Sequence, residues 1–134
     1  MAASSEQQIE ALWGALSQAV EKTILQTGGF TPVGAVLYPD ERIEAVVAAG
    51  GSDALAQFER QVKGKVAAGC IAAVRAINAQ VQLDGQPEPV TGILVRFDNA
   101  EGASQVNFMA YTLAGEQIEY GELHGQDGAR DLFG

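Results

Sequence analysis

Apolar residues recur at steps of three and four through the first part of the chain, and this spacing constrains the fold more than any other feature. The recurring residues are Ile9, Leu12, Trp13, Leu16, Val20 and Ile24. Such a repeat places them on one face of an amphipathic helix. Gly28 and Gly29 then supply the left-handed stop that ends many helices. The sequence predicts a first helix over residues 5–27.

From residue 30 onward the three- and four-residue spacing of apolar residues is replaced by the two-residue alternation that is typical of strands. Two alternating segments, residues 33–37 and 43–48, flank turn residues at 39–42, which predicts a β-hairpin. A second helical pattern follows at Leu55, Phe58, Val62 and Val66, and Gly69 ends it.

The rest of the chain has the pattern of strands, separated by turns rich in glycine, asparagine and aspartate. The expected strands cover residues 71–83, 90–97, 106–113 and 118–123. We therefore predict an α+β fold of order α-β-β-α-β-β-β-β, in which a curved antiparallel sheet of five or six strands carries both helices on one face. One domain should span residues 1–134, with 125–134 as a polar, flexible C-terminal segment. The element order is similar to that of roadblock/longin-type and profilin-like domains, and this likeness brings no functional motif.

Charge limits the classes of partner. The 134 residues include 17 acidic and 8 basic ones, which give a formal net charge of -9. This field repels nucleic acid and anionic lipid, and it favours basic protein partners. We expect neither a nucleic-acid nor a membrane partner. The single cysteine, Cys70, cannot form an internal disulfide, and with no apolar run of membrane-spanning length we expect a cytoplasmic protein.

Catalytic chemistry has few candidate residues in this sequence. Neither the Gly-x-Gly-x-x-Gly nor the Walker pattern occurs, and one histidine with one cysteine does not supply the clustered ligands that a zinc site needs. We assign no catalytic, cofactor-binding or metal-binding residue, and we favour binding over enzymatic activity while leaving the enzyme class open. If the chain is an enzyme, His124 and Glu122 near the last strand are the candidate cleft residues.

Two strands carry a candidate contact surface, because they combine uncharged amides with large apolar groups where a solitary monomer would carry Lys and Glu. The candidate interface residues are Asn78, Gln80, Gln82, Asn107, Met109 and Tyr111. Val106 and Phe108 form the other row of the same strand, so either row that the helices leave uncovered would expose apolar groups. An exposed patch of this kind typically marks an interaction site, and we expect a homodimer.

Three short segments resemble a family of small bacterial proteins of unassigned function. They are Gly29-Phe30-Thr31-Pro32-Val33-Gly34-Ala35-Val36-Leu37, Tyr111-Thr112-Leu113 and Tyr120-Gly121-Glu122-Leu123. The likeness runs from Ile9 to the C-terminus. It implies that proline and glycine shape the first hairpin and that Tyr-Gly closes the last one, and no catalytic residue comes with it.

These observations favour a non-enzymatic cytoplasmic protein-binding domain that self-associates through its sheet face. Two alternatives remain open. One is a small enzyme or small-ligand binder with a cleft near the C-terminal strand. The other is an acidic neutraliser of a basic partner protein, such as a toxin, because charge complementarity accelerates association.

Overall fold

A computed structural model describes residues 5–48, 53–82, 85 and 87–128. Two helices and six strands follow one another in the predicted order. They are α1 (Ser5–Thr27), β1 (Val33–Leu37), β2 (Ile43–Val47), α2 (Ala54–Ala67), β3 (Ala72–Val81), β4 (Val90–Asn99), β5 (Ser104–Ala114) and β6 (Gln117–Asp127). No helix within these residues is both long and apolar enough to cross a membrane.

The six strands form one antiparallel sheet in the order β2-β1-β3-β4-β5-β6. The predicted α+β class, the open antiparallel sheet and the element order are confirmed. Strand β3 pairs with β1, so α2 carries the chain from the edge strand β2 across β1 to β3. The long strands β3, β4, β5 and β6 then follow as consecutive antiparallel neighbours.

The two helices lie on opposite faces of this sheet, whereas the sequence led us to expect both on one face. Leu12 and Leu16 of α1 pack on one set of alternate strand residues: Ala35, Leu37, Ala72, Val74 and Phe97. Phe58 and Val62 of α2 pack on the other set: Val36, Val46 and Ala73. Successive side chains of a strand point to opposite faces, so Ala35 and Val36 cannot both pack on one side.

The N-terminal part of α1 is fixed to the turn between β4 and β5 by a buried polar contact. Asn99 donates from its side-chain nitrogen to Oε1 of Gln8 at 3.0 Å, and both residues are 3% exposed. Oδ1 of Asn99 also accepts from the backbone nitrogen of Ala103 at 2.9 Å. The same amide therefore closes the turn and holds the helix.

Strand β6 continues to Asp127, four residues beyond the expected end at residue 123. Residues 125–127 of the expected flexible C-terminal segment thus lie in the sheet, and residues 129–134 lie outside the described residues. The pairing of β6 with β5 shifts register between Met109 and Tyr111, which indicates a β-bulge.

Candidate interaction surface

Helix α2 covers only one end of its face of the sheet. The cluster beneath it takes strand residues from β1, β2 and the start of β3. Cross-strand pairs Ile77 with Leu94, and Leu94 with Phe108, continue the same face across β3, β4 and β5. We call this uncovered area the open face; its members are Ile77, Ala79, Val81, Leu94, Arg96, Val106, Phe108 and Ala110.

The open face is apolar, and the side chain of Phe108 packs closely on the sheet backbone. Ile77, Leu94 and Val106 are partly exposed, and Arg96 is the one charged residue in the set. Phe108 is 5% exposed although neither of the two described helices covers it. Its ring lies against Gly92, where an added Cβ would come within 2.5 Å of the ring Cζ. Glycine at this position therefore lets the phenyl ring lie close to β4.

A buried charge network marks the boundary between α2 and the open face. Arg75, 2% exposed, donates from Nη1 to Glu59 of α2 at 2.8 Å and from Nη2 to Asp98 of β4 at 2.7 Å. The hydroxyl of Ser104 donates to the other oxygen of Asp98 at 2.7 Å. Buried charges are tolerated when they are paired and hydrogen-bonded in this way. Because these groups pair and hydrogen-bond with one another, we interpret the network as structural.

Tyr111 and Asn78, two of the six candidate interface residues, belong to the α1 side of the sheet. Tyr111 is 5% exposed and packs beneath α1 with Val20 and Ile24, so it is a core residue, contrary to our expectation. Asn78 donates from its side-chain nitrogen to the Tyr111 hydroxyl at 2.9 Å. This amide is therefore part of the packing beneath the helix.

The glutamines and the remaining two candidates are nearer the surface. Gln80 is exposed near the end of β3, on the same side as Asn78, and Gln82 is exposed just beyond that strand. Asn107 and Met109 are partly exposed on the α1 side of β5. The row that neither α1 nor α2 covers, among the residues that the structure describes, is the other one, which contains Val106 and Phe108.

Asn107 and Met109 line a cavity of about 210 Å³ between α1 and the strands β4, β5 and β6. We call it the α1 pocket; its lining residues are Ile9, Trp13, Ile93, Val95, Asn107, Met109 and Leu123. Gly125 pairs with Asn107 across the strands, and an added Cβ at Gly125 would lie 2.6 Å from the amide Oδ1 of Asn107. The glycine thus makes room for this amide beside the pocket.

His124, one of the two candidate cleft residues, does not line this pocket. His124 is exposed and pairs with Phe108, which places it on the open-face side of β6, whereas its neighbour Leu123 lines the pocket on the other side. The side chain of Glu122 lies outside the described residues. In the part of the chain that the structure describes, no three His, Cys, Asp or Glu residues come together as a metal site would require.

Cys70 is buried at 4% exposure and carries a free thiol. Burial raises the pKa of this thiol, which makes the nucleophilic thiolate scarce at neutral pH. Cys70 packs in the cluster beneath α2, as expected of a small apolar residue.

The sequence of β1 contains a signal that the helices lie on opposite faces, although we predicted both on one face. Every residue from Val33 to Leu37 is glycine or apolar. A strand of this kind typically lies covered on both faces. The α1 pocket has no comparable signal, since it depends on residues brought together from one helix and three strands.

Comparison of the chain with protein-family models, with curated proteins and with solved structures gave no match.

Proposed function

We propose that this chain is a non-enzymatic protein-binding domain that forms a homodimer through its open face. The observation that carries the proposal is the apolar, nearly uncharged surface that α2 leaves uncovered on β3, β4 and β5. Apolar patches beyond a few hundred Å² on a soluble domain typically mark contact sites. A second copy offers the same patch, and a two-fold axis lets each copy cover the other.

Association through the face is favoured over association through the β6 edge of the sheet. Strand β6 forms one edge, and its register shift opposite Met109 and Tyr111 interrupts regular pairing. Exposed Glu116 and Glu119 add charge at the same edge. Bulges and charged residues are the features by which natural edge strands avoid pairing with other sheets.

The charge of the chain opposes the dimer, since each copy has a formal net charge of -9. Repulsion between exposed charges is screened beyond about 8 Å at physiological salt. Salt weakens this repulsion but does not weaken the apolar contact across the open face. Added salt should therefore tighten the dimer. This salt dependence separates apolar association from binding through opposite charges, which salt weakens.

The test is the mass of the protein by light scattering across a dilution series, comparing the native chain with Leu94→Glu. We expect the native chain to be a dimer at tens of micromolar and the variant to be a folded monomer, because the new carboxylate would lie in the contact. Leu55→Glu is the matched control, since Leu55 lies on α2 and is already 48% exposed. A native chain that stays monomeric throughout the series contradicts the proposal.

The net charge supports a second candidate function, neutralisation of a basic partner protein. In that case a basic protein would bind the monomer, and the binding would weaken as salt is added. Leu94→Glu would leave such binding intact. We also propose a cytoplasmic location, supported by the free buried thiol of Cys70.

A further inference from the structure

The edge strand β2 has one side that no other described strand pairs. It lies at the end of the sheet and pairs with β1 alone among these strands. The backbone nitrogen of Tyr38 donates to the carbonyl of Arg42 at 2.9 Å, and that of Ala48 donates to the carbonyl of Pro32 at 3.0 Å. Hydrogen-bonded and non-hydrogen-bonded pairs alternate along an antiparallel ladder. The backbone groups of the odd-numbered residues between Arg42 and Ala48 therefore point away from β1.

The three residues with outward backbone groups also carry apolar side chains. They are Ile43, Ala45 and Val47. Ile43 pairs with Leu37 and Ala45 pairs with Ala35, and both partners pack beneath α1. The three side chains thus lie on the α1 side of the sheet but beyond the cover of the helix, since Ile43 is 38% exposed and Val47 is 62% exposed.

Strand β2 lacks the features by which β6 avoids pairing with another strand. Its register with β1 runs unbroken from Val47 to Ile43, and none of the three outward residues is charged or proline. Glu44 lies between them, but its side chain points to the other face and contacts Lys65 of α2. An edge of this kind is where an extended peptide adds a further strand through backbone hydrogen bonds.

Exposed carboxylates lie at both ends of β2. Asp40 and Glu41 are exposed in the turn that precedes the strand. Asp53 is exposed at the start of α2, and the adjacent Ala54 packs with Ala48 at the other end of β2. An extended segment beside β2 would therefore have carboxylates near both of its ends.

Two cations near this edge already have partners. The guanidinium of Arg42 lies 4.4 Å from the ring centroid of Tyr38, and Lys65 contacts Glu44. A second copy of β2, paired antiparallel, would bring acidic end against acidic end, which is unfavourable. We infer that β2 binds an extended segment of a partner protein, in which apolar residues alternate and basic residues lie at both ends.

A capped peptide in which valine and threonine alternate between two terminal lysines tests this inference, and a second peptide has glutamates in place of the lysines. We expect the lysine peptide to shift the backbone amide signals of Ile43, Ala45 and Val47 and to slow their exchange with solvent. At low salt it should bind at least about tenfold more tightly than the glutamate peptide.

N-methylation of the lysine peptide tests the hydrogen bonds on the native chain. Valines placed beside the apolar row of β2 direct their N–H groups at β2, and the threonine N–H groups then point to solvent. Methylation of the valine nitrogens should weaken binding at least about tenfold, because it removes donors and leaves β2 carbonyls unpaired. Methylation of the threonine nitrogens should have much less effect.

Two variants test the same contact from the side of the protein. Ala45→Pro removes the central outward N–H and keeps the hydrogen bonds to β1, since proline is tolerated in edge strands. Val47→Lys puts a cation beside the lysine peptide. Each should weaken binding of the lysine peptide at least about tenfold. Leu113→Lys is the matched control, because it adds the same charge on β5 at a position 47% exposed. If Ala45→Pro does not fold, Val47→Lys and the methylated peptides decide.

Three results would overturn the inference. The first is equal binding of the lysine and glutamate peptides, and the second is equal binding of the two methylated peptides. The third is a lower mass for Ala45→Pro than for the native chain in light scattering, because a second copy would then occupy the edge. Leu94→Glu should bind the lysine peptide as the native chain does, so failure of the dimer through the open face is measured separately.

Discussion

The two faces of the sheet are covered to different extents, and the lengths of the helices explain the difference. Helix α1 has 23 residues and α2 has 14, which at 1.5 Å per residue correspond to about 35 Å and 21 Å. The longer helix packs over β1, β3 and β4 and also reaches β6, where the Tyr120 hydroxyl donates to Glu21 at 2.7 Å. The shorter helix covers one end of its face.

The covered areas also end in different ways on the two faces. On the α1 side the packing ends in the α1 pocket, whose lining is almost wholly apolar. On the α2 side it ends at the paired charges of Arg75, Glu59 and Asp98, beyond which the open face begins. The two helices thus leave different surfaces beside them, a pocket on the α1 side and an apolar strand surface on the α2 side.

The largest expected effect comes from removing one partner of the buried charge network. Asp98→Ala should lower the free energy of unfolding by about 3 to 5 kcal/mol, because Arg75 would stay buried with less compensation. Chemical denaturation measures this. Adding Arg75→Met to the variant removes the stranded cation and should restore part of the loss. Glu101→Ala, at an exposed acid of the next turn, is the control. If Asp98→Ala and Glu101→Ala lower the free energy of unfolding by equally small amounts, the structural role of the network is contradicted.

A loss of similar or smaller size is expected on the α1 face. Leu16→Ala should cost about 2 to 5 kcal/mol of unfolding free energy, since Leu16 is 2% exposed and its truncation leaves a cavity. Leu25→Ala on the same helix, at 44% exposure, should cost much less. Equal midpoints for the two variants in a urea titration would show that the buried side of α1 has been assigned wrongly.

The smallest effect concerns the ion pair that joins α2 to the edge strand β2. Lys65 contacts Glu44, and the hydrogen bond from Lys65 holds the pKa of Glu44 below its usual 4.5. A carboxyl whose pKa is lower in the folded state stabilises the fold above its unfolded pKa, and this contribution is lost as the pH falls through the folded value.

Glu44→Gln should therefore lower the melting temperature slightly at pH 7, and the difference from the native chain should vanish well below pH 4.5. Both side chains are more than one third exposed, so the effect is small. Glu10→Gln, at an exposed position of α1, serves as the control. A difference that persists in acid would mean that the glutamine acts through something other than the lost charge.

The order of elements could be predicted from the sequence because each element has its own period. The helical repeat of residues 5–27 matched α1 at both ends. The face that each helix occupies could not be obtained in that way, because β1 is apolar on both sides and accepts a helix on either. Strands β2 and β3 are parallel to each other, and such crossovers favour one hand, which restricts the side of α2. Local sequence places no similar restriction on α1.

The same limit applies to the candidate sites, which the sequence predicted only in part. The sequence indicated that one row of β5 would be uncovered, and it could not decide between Met109 with Tyr111 and Val106 with Phe108, since both rows are apolar. The decision depends on which helix extends over β5, a property of the whole fold. The bulge in β6 follows no repeat in the sequence, so the position of His124 relative to Leu123 and the pocket was equally out of reach.

The contacts of α1 also bear on the order in which the molecule can assemble. The hydrogen bonds of Gln8 with Asn99 and of Glu21 with Tyr120 join residues 91 and 99 positions apart. At about 5 to 20 residues per second, the ribosome delivers Tyr120 roughly 5 to 20 s after Glu21. Helix α1 is therefore synthesised well before the strand residues that complete its contacts. Until the strands are synthesised, the apolar side of α1 stays uncovered. The growing chain is most exposed to aggregation during this interval.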